Sequence, residues 1–187
     1  MSTTREGVDR PAAVRAALYR LVARHGFHGA SMGAVAKEAG VATGTAYVHY
    51  PSKSALVLAT YLEVKGALVD AAVAAVDPAA PAETQFQQLW AGAHRHLADD
   101  PDRARFLVQV DSSPYADAAQ QRATESHGDP LQDPSVRHLV ERFVDLPLPV
   151  LYDLALGPLV RLVASGADLP RHMEATLVRA CWRAISR

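Results

Sequence analysis

Cysteine is almost absent: Cys181 is the only one in 187 residues. No intrachain disulfide can form, and a metal site built on thiolates would lack partners. A reducing, cytoplasmic setting is the expectation. Long apolar runs are missing too. Met1 to Glu6 has no stretch of signal-peptide type, and the most apolar region, Val150 to Ala164, is interrupted by Asp153 and Arg161. Neither secretion nor membrane insertion is indicated. No charge sign dominates, the formal net charge being -1, and with 49% hydrophobic and 21% charged residues the chain falls among globular proteins. Its length suffices to bury a core without staples, as one domain or as a small module joined to a larger one. No segment alternates apolar and polar residues as a half-buried strand does, which leaves an all-α fold.

What is present is helical spacing nearly throughout. Val14, Leu18, Leu21 and Val22 make the apolar face of a first helix that starts at Asp9 and Pro11 and ends at Gly26. A second runs from about Met32 to Ala39, with Ser31 as its capping oxygen and Gly40 at its C-terminal turn. A third begins near Thr43 and stops before Pro51, which biases Tyr50 away from helix. The fourth starts at Ser52 and carries Leu56, Leu58, Leu62 and Val69 toward the linker Asp77 to Pro81. Further helices are expected over Glu83 to Ala98, Asp102 to Val110, after Pro114, over Pro149 to Ala164 and over Arg171 to Ser186, with His127 to Pro134 as a loop. That makes about nine helices. Two domains follow, residues 1–55 and 56–187.

The small net charge conceals an asymmetry. Residues 1–55 hold seven Lys or Arg against three acids, so the head is net positive and the remainder net negative. A basic head suits a polyanion. Three short helices with a glycine turn between the second and third can present a recognition helix to a DNA major groove. Ala36 and Ala39 are small enough for a close crossing, Val35 and Val41 supply apolar contact, and Gly40 can take the positive φ of the turn. Thr43, Gly44 and Thr45 then stand at the N-terminus of the third helix, where backbone N–H groups face anionic phosphate. Tyr47, His49 and Lys53 add hydroxyl, imidazole and ammonium donors over the next turns.

The stretch from His25 to Lys53, with its Ala39-Gly40-Val41, Gly44-Thr45 and Tyr47-x-His49-Tyr50 elements followed by Ser52-Lys53, resembles the signature of the TetR family of transcriptional regulators. The resemblance implies a homodimeric regulator whose two third helices enter successive major grooves of a palindromic operator, most often a repressor released by a small-molecule inducer. It also implies that Thr43, Gly44 and Thr45 approach bases or nearby phosphates, that Tyr47, His49 and Lys53 hold phosphates, and that Ser31 touches the backbone from the second helix. Two positions depart from the pattern. Ala42 stands where a hydroxyl cap is usual, leaving Thr43 to cap in its place, and Ala46 where a larger aliphatic is usual. Other readings stay open: Tyr47 as a core aromatic, His49 as packing against the fourth helix, and Lys53 as a solvated lysine. The last is disfavoured because the start of a helix is a poor place for a cation.

In the second domain the last helix has two apolar stripes, Met173, Leu177, Ala180 and Ala184 on one side and Val178, Trp182 and Ile185 on the other. The preceding helix is apolar nearly all round and should kink at Gly157-Pro158. Two helices that need partners on two sides fit a four-helix interface between subunits, with Leu151, Leu154, Leu162, Met173, Leu177, Ala180 and Ala184 in it. A mainly apolar ligand site is sought among Phe86, Leu89, Trp90, Phe106, Val110 and Tyr115, each of which also reads as plain core. No metal or other cofactor is expected: His94 and His96, two apart, face different directions on a helix. No nucleophile-elbow signature gathers Ser, His and Asp, so catalysis has no positive support. The rivals are an activator of the same fold and, further off, a ligand carrier or enzyme whose three-helix head is scaffold only.

Overall fold

A computed structural model describes residues 9–126 and 133–187, and the described residues are helical nearly throughout. Residues 1–8, which carry Arg5 and Glu6 of the charge count, and most of the expected 127–134 loop lie outside them. The head comprises α1 (Arg10–Gly29), α2 (Met32–Glu38) and α3 (Thr43–His49). α4 (Lys53–Val73) leads out of it into α5 (Ala82–Asp99), α6 (Pro101–Asp111), α7 (Ala116–Ser126), α8 (Arg137–Val140), α9 (Leu148–Ala155), α10 (Gly157–Ser165) and α11 (Arg171–Ile185). The only extended pairing among the described residues is one antiparallel bridge, Phe143 with Ser186.

Local chemistry sets the helix ends. Asp9 Oδ1 accepts from the Ala12 amide at 3.3 Å, with Pro11 in the first turn of α1. Ser31 Oγ accepts from Ala34 N at 3.2 Å and Ser52 Oγ from Ala55 N at 3.1 Å, capping α2 and α4. α2 closes with paired bonds, Val41 N to Ala36 O at 2.9 Å and Gly40 N to Lys37 O at 3.2 Å, around Gly40 at φ +67°. Gly26, at φ 68°, breaks the helical backbone where α1 was expected to end, and one further turn follows.

Four expectations are corrected. There are eleven α-helical segments among the described residues rather than about nine, because α8 was not foreseen and because the expected 149–164 helix divides at Leu156 into α9 and α10, bent by 46°. The break falls where Pro158, in the first turn of α10, removes a ladder donor. Ala42 is the N-cap of α3 and Thr43 already lies inside the helix, so no side chain caps it. α4 stops at Val73, well short of Asp77. Its buried face is Leu56, Val57, Tyr61, Val64 and Leu68, with Leu58 and Leu62 only half-buried.

A single apolar core runs from Val14, Leu18 and Val22 of α1 through α4 to Phe86, Trp90, Phe106, Val110, Leu159 and Ile185. Each such side chain contributes on the order of 1.5–3 kcal/mol by leaving water. α4 and α5 cross closely. A Cβ on Gly92 would lie 2.6 Å from the Ala71 carbonyl oxygen and 2.7 Å from Ala75 Cβ. No single helix among the described residues is long and apolar enough to cross a membrane.

Head and body meet along α1 and α6. Tyr19 donates to Asp100 at 2.7 Å and sets its ring edge-on to Phe106 at 6.5 Å. Gln109 Nε2 donates to the Val22 carbonyl at 2.9 Å. Buried Asp102 accepts from Arg24 of α1 and from Arg105 of its own helix, both at 2.9 Å, and Arg105 also donates to the Ala164 carbonyl of α10 at 3.3 Å.

Candidate nucleic-acid interface and internal cavity

α3 is held to the head by very little of itself. Ala46 is its one buried residue, which is why a small side chain suffices where a larger one would have to be accommodated between α2 and α1. Thr43, Gly44, Tyr47, Val48 and His49 are exposed and Thr45 half so. Tyr47 is 49% and Val48 81% exposed, which removes the reading of Tyr47 as a core aromatic. His49 is likewise outside the core. Ser31, also exposed, gives its oxygen to the α2 cap while its hydroxyl proton stays free for an acceptor.

Gly44 is informative by what surrounds it. A Cβ there would meet nothing within 4 Å, so nothing in this chain's own packing requires a glycine. Lys53 is placed differently from the others. Its ammonium donates to the Phe27 carbonyl and sits 5.9 Å from the Phe27 ring centroid, and burial pushes its pKa down. That carbonyl, at the end of α1, explains a lysine at the start of α4. Toward the other end of α1, Arg15 bridges Glu63 and the Tyr50 hydroxyl, and Tyr50 donates to the Pro11 carbonyl at 3.3 Å, so α1 is tied to α4 and to the residue that ends α3.

The body holds a cavity of about 680 Å³, walled by α4, α7 and α9. None of the six residues sought for a ligand site lines it. Phe86 and Leu89 instead border a smaller void of about 90 Å³ that shares Val69, Val73, Leu148 and Tyr152 with it, while Trp90, Phe106 and Val110 are buried in the core and Tyr115 packs at 5.1 Å on Phe27. The large cavity's polar residues went unnoticed in the sequence. Lys65 Nζ donates to Tyr61 Oη and to Gln120 Oε1, both at 3.0 Å, and Tyr61 donates to the same Gln120 oxygen at 2.9 Å. Burial lowers the Lys65 pKa, with Asp111 and Asp153 opposing, and raises those of Tyr61, Tyr152 and Asp111. The available signal was a lone lysine among Val64, Gly66, Ala67, Leu68 and Val69, on a helix otherwise apolar along one side.

Of the residues expected between subunits, Leu154 and Met173 are exposed at 36% and 48%, and Ala180 and Ala184 are also open. Leu162 and Leu177 are half-buried. Leu151 turns inward and is part of this chain's own core. The other stripe of α11 packs inside, with Ile185 fully buried and Trp182 at 5.6 Å from Phe86.

Residues 14–60 match the family model described as "Bacterial regulatory proteins, tetR family". No curated protein matches the chain by sequence. Among solved structures it is similar to a TetR-family transcriptional regulator from Haemophilus influenzae RD, at 23% identity and a TM-score of 0.76, over 98% of this chain and 100% of that one. A TetR family protein from Vibrio parahaemolyticus is 26% identical with a TM-score of 0.72, over 96% of this chain and 100% of that one. The fatty acid degradation regulator FadR from Bacillus halodurans shares the fold at 20% identity and a TM-score of 0.63, over 98% and 95%.

Proposed function

Taking the chain as a TetR-family regulator by its head domain and its fold, we propose that it is a homodimeric repressor that reads a palindromic operator and is released from it by a small-molecule ligand. The observation that carries the DNA half is α3, a helix with one buried residue and a continuous outward face. Thr43, Gly44 and Thr45 approach the duplex at the start of that helix, Tyr47 and His49 hold phosphates, and Ser31 meets the backbone from α2. Lys53 keeps two N–H groups for a phosphate after serving Phe27. Val48 is placed to meet a thymine methyl in the groove, an apolar contact that reads sequence. Leu154, Met173, Ala180 and Ala184 supply the subunit interface, with Leu162 and Leu177 at its edge and Leu151 behind it.

The ligand half rests on α4. It is one unbroken helix from Lys53, against α1, to Lys65, Val69 and Val73 on the cavity wall. Twelve residues of helix span about 18 Å. A ligand that moves the cavity end of α4 therefore moves the head, and the α1–α6 joint is the second point at which the head's angle is held.

The test is a titration of labelled duplex from upstream of the chain's own gene at several salt concentrations. Saturable binding, selective over random duplex and weakening steeply with salt, is expected. Equal affinity for random duplex would sink the proposal. Gly44→Ala sharpens it. The variant should be as stable as the parent or more so by up to about 1 kcal/mol. Its operator affinity should fall by about tenfold or more, because the added methyl holds the backbone off the duplex and disrupts about one hydrogen bond to a charged group. Thermal unfolding and the same titration give both numbers, and unchanged affinity removes Gly44 from the interface.

A further inference from the structure

We propose that the 680 Å³ cavity takes an organic carboxylate carried on an apolar body, the carboxylate held by Lys65 and the Tyr152 hydroxyl. This rests on the ligand reading above and names the ligand's class. Lys65 is the cavity's one cation among the described lining residues, and no described carboxylate lies within ion-pairing distance of it. Its ammonium is met by two neutral oxygens, Tyr61 Oη and Gln120 Oε1, and by the Tyr152 ring at 4.2 Å. An ammonium has three N–H groups, and a part-buried one without an acceptor is costly. The Tyr152 hydroxyl, on the α9 wall, has no hydrogen-bond partner among the described residues. A carboxylate has the two acceptor oxygens that would satisfy both donors.

The other ligand charges fit less well. A cationic ligand would want the faces of Tyr61 and Tyr152, but the Lys65 ammonium already lies over them at 5.3 and 4.2 Å, so a second cation would meet like charge. Asp70 and Asp133, the lining acids, are exposed, Asp133 already accepting from Ser135, and Asp111 and Asp153 act on Lys65 only at longer range. A neutral ligand leaves the ammonium without a counter-charge. Val69, Val73, Val76 and Ala123 supply the surface that an apolar body covers.

The experiment is calorimetric titration of the full-length protein, without DNA, with decanoate, decyltrimethylammonium and 1-decanol. Decanoate should bind more tightly than the cation. Lys65→Met, close in length, should weaken decanoate by about tenfold or more while 1-decanol binding is kept. Tyr152→Phe, which retains the ring, should weaken decanoate by about threefold or more and covers the case of Lys65→Met failing to fold. Absence of decanoate binding, tighter binding of the cation, or decanoate affinity unchanged in the folded variants overturns the proposal. The operator assay is separate. Decanoate held through Lys65 but without effect on duplex binding would leave the carboxylate site standing and remove ligand relief.

Discussion

Replacing Phe106 by alanine is expected to lower the unfolding free energy by about 3–5 kcal/mol, because a fully buried aromatic is lost and a cavity is left behind. In a chain of this size that is a fall in Tm of roughly 6–20 °C. Phe106 lies on α6 with Tyr19 of α1 edge-on to it, so the damage falls on the joint between head and body. As a ligand-lining residue it would behave otherwise: alanine would weaken a bound ligand and spare the fold. Thermal unfolding together with decanoate titration of the surviving folded protein separates the two. A fall in affinity with little loss of stability would return Phe106 to the ligand site.

Adding side chain at Gly92 should be nearly as damaging by the opposite route. The new Cβ has backbone against it, the Ala71 carbonyl oxygen at 2.6 Å and Ala72 Cα at 3.3 Å, and backbone yields only if α4 and α5 separate. Gly92→Ala should cost about 1–3 kcal/mol, and Gly92→Val more. The usual preference of a helix for alanine over glycine, about 0.5–1 kcal/mol, works against that cost and is too small to offset it. Gly44→Ala is the matched control, since there the same substitution meets open space. If chemical denaturation finds Gly92→Ala as stable as the parent, the two helices do not cross as closely as described.

The head was legible in the sequence because its determinants are local. The spacing of Val14, Leu18, Leu21 and Val22 names the buried face of α1, and all are fully buried except Leu21, which is half-buried. Ser31, Ser52 and Gly40 act within a few residues of themselves, as caps and turn. Gly157-Pro158 announced a break for the same reason. Thr43 misled because a hydroxyl beside Ala42 looks like a substitute cap, whereas the capping position is set by which residue is extended, and Ala42 has ψ 145°. α8, four residues long, is too short to have a period. The cavity was not legible at all. Bulky aromatics such as Trp90 and Phe106 were sought as its walls, yet large apolar side chains are what a core claims first. Space is left between α4, α7 and α9, and where those three leave it is decided by elements far apart in the chain.

Asp102 gives ionic strength a second grip on this molecule. One carboxylate, only 11% exposed, serves Arg24 from the head and Arg105 from the body, while Arg24 itself is 55% exposed. Salt therefore loosens the Arg24 half of the joint more readily than the Arg105 half. Under the proposed function, a plot of operator affinity against salt would then count two things at once: cations displaced from phosphates, and heads released from α6. Its slope then differs from the one that phosphate contacts alone would give. Repeating the series with Asp102→Asn, in which the carboxylate's charge is gone, leaves only the first contribution, and the difference between the slopes measures how firmly the body steers the head.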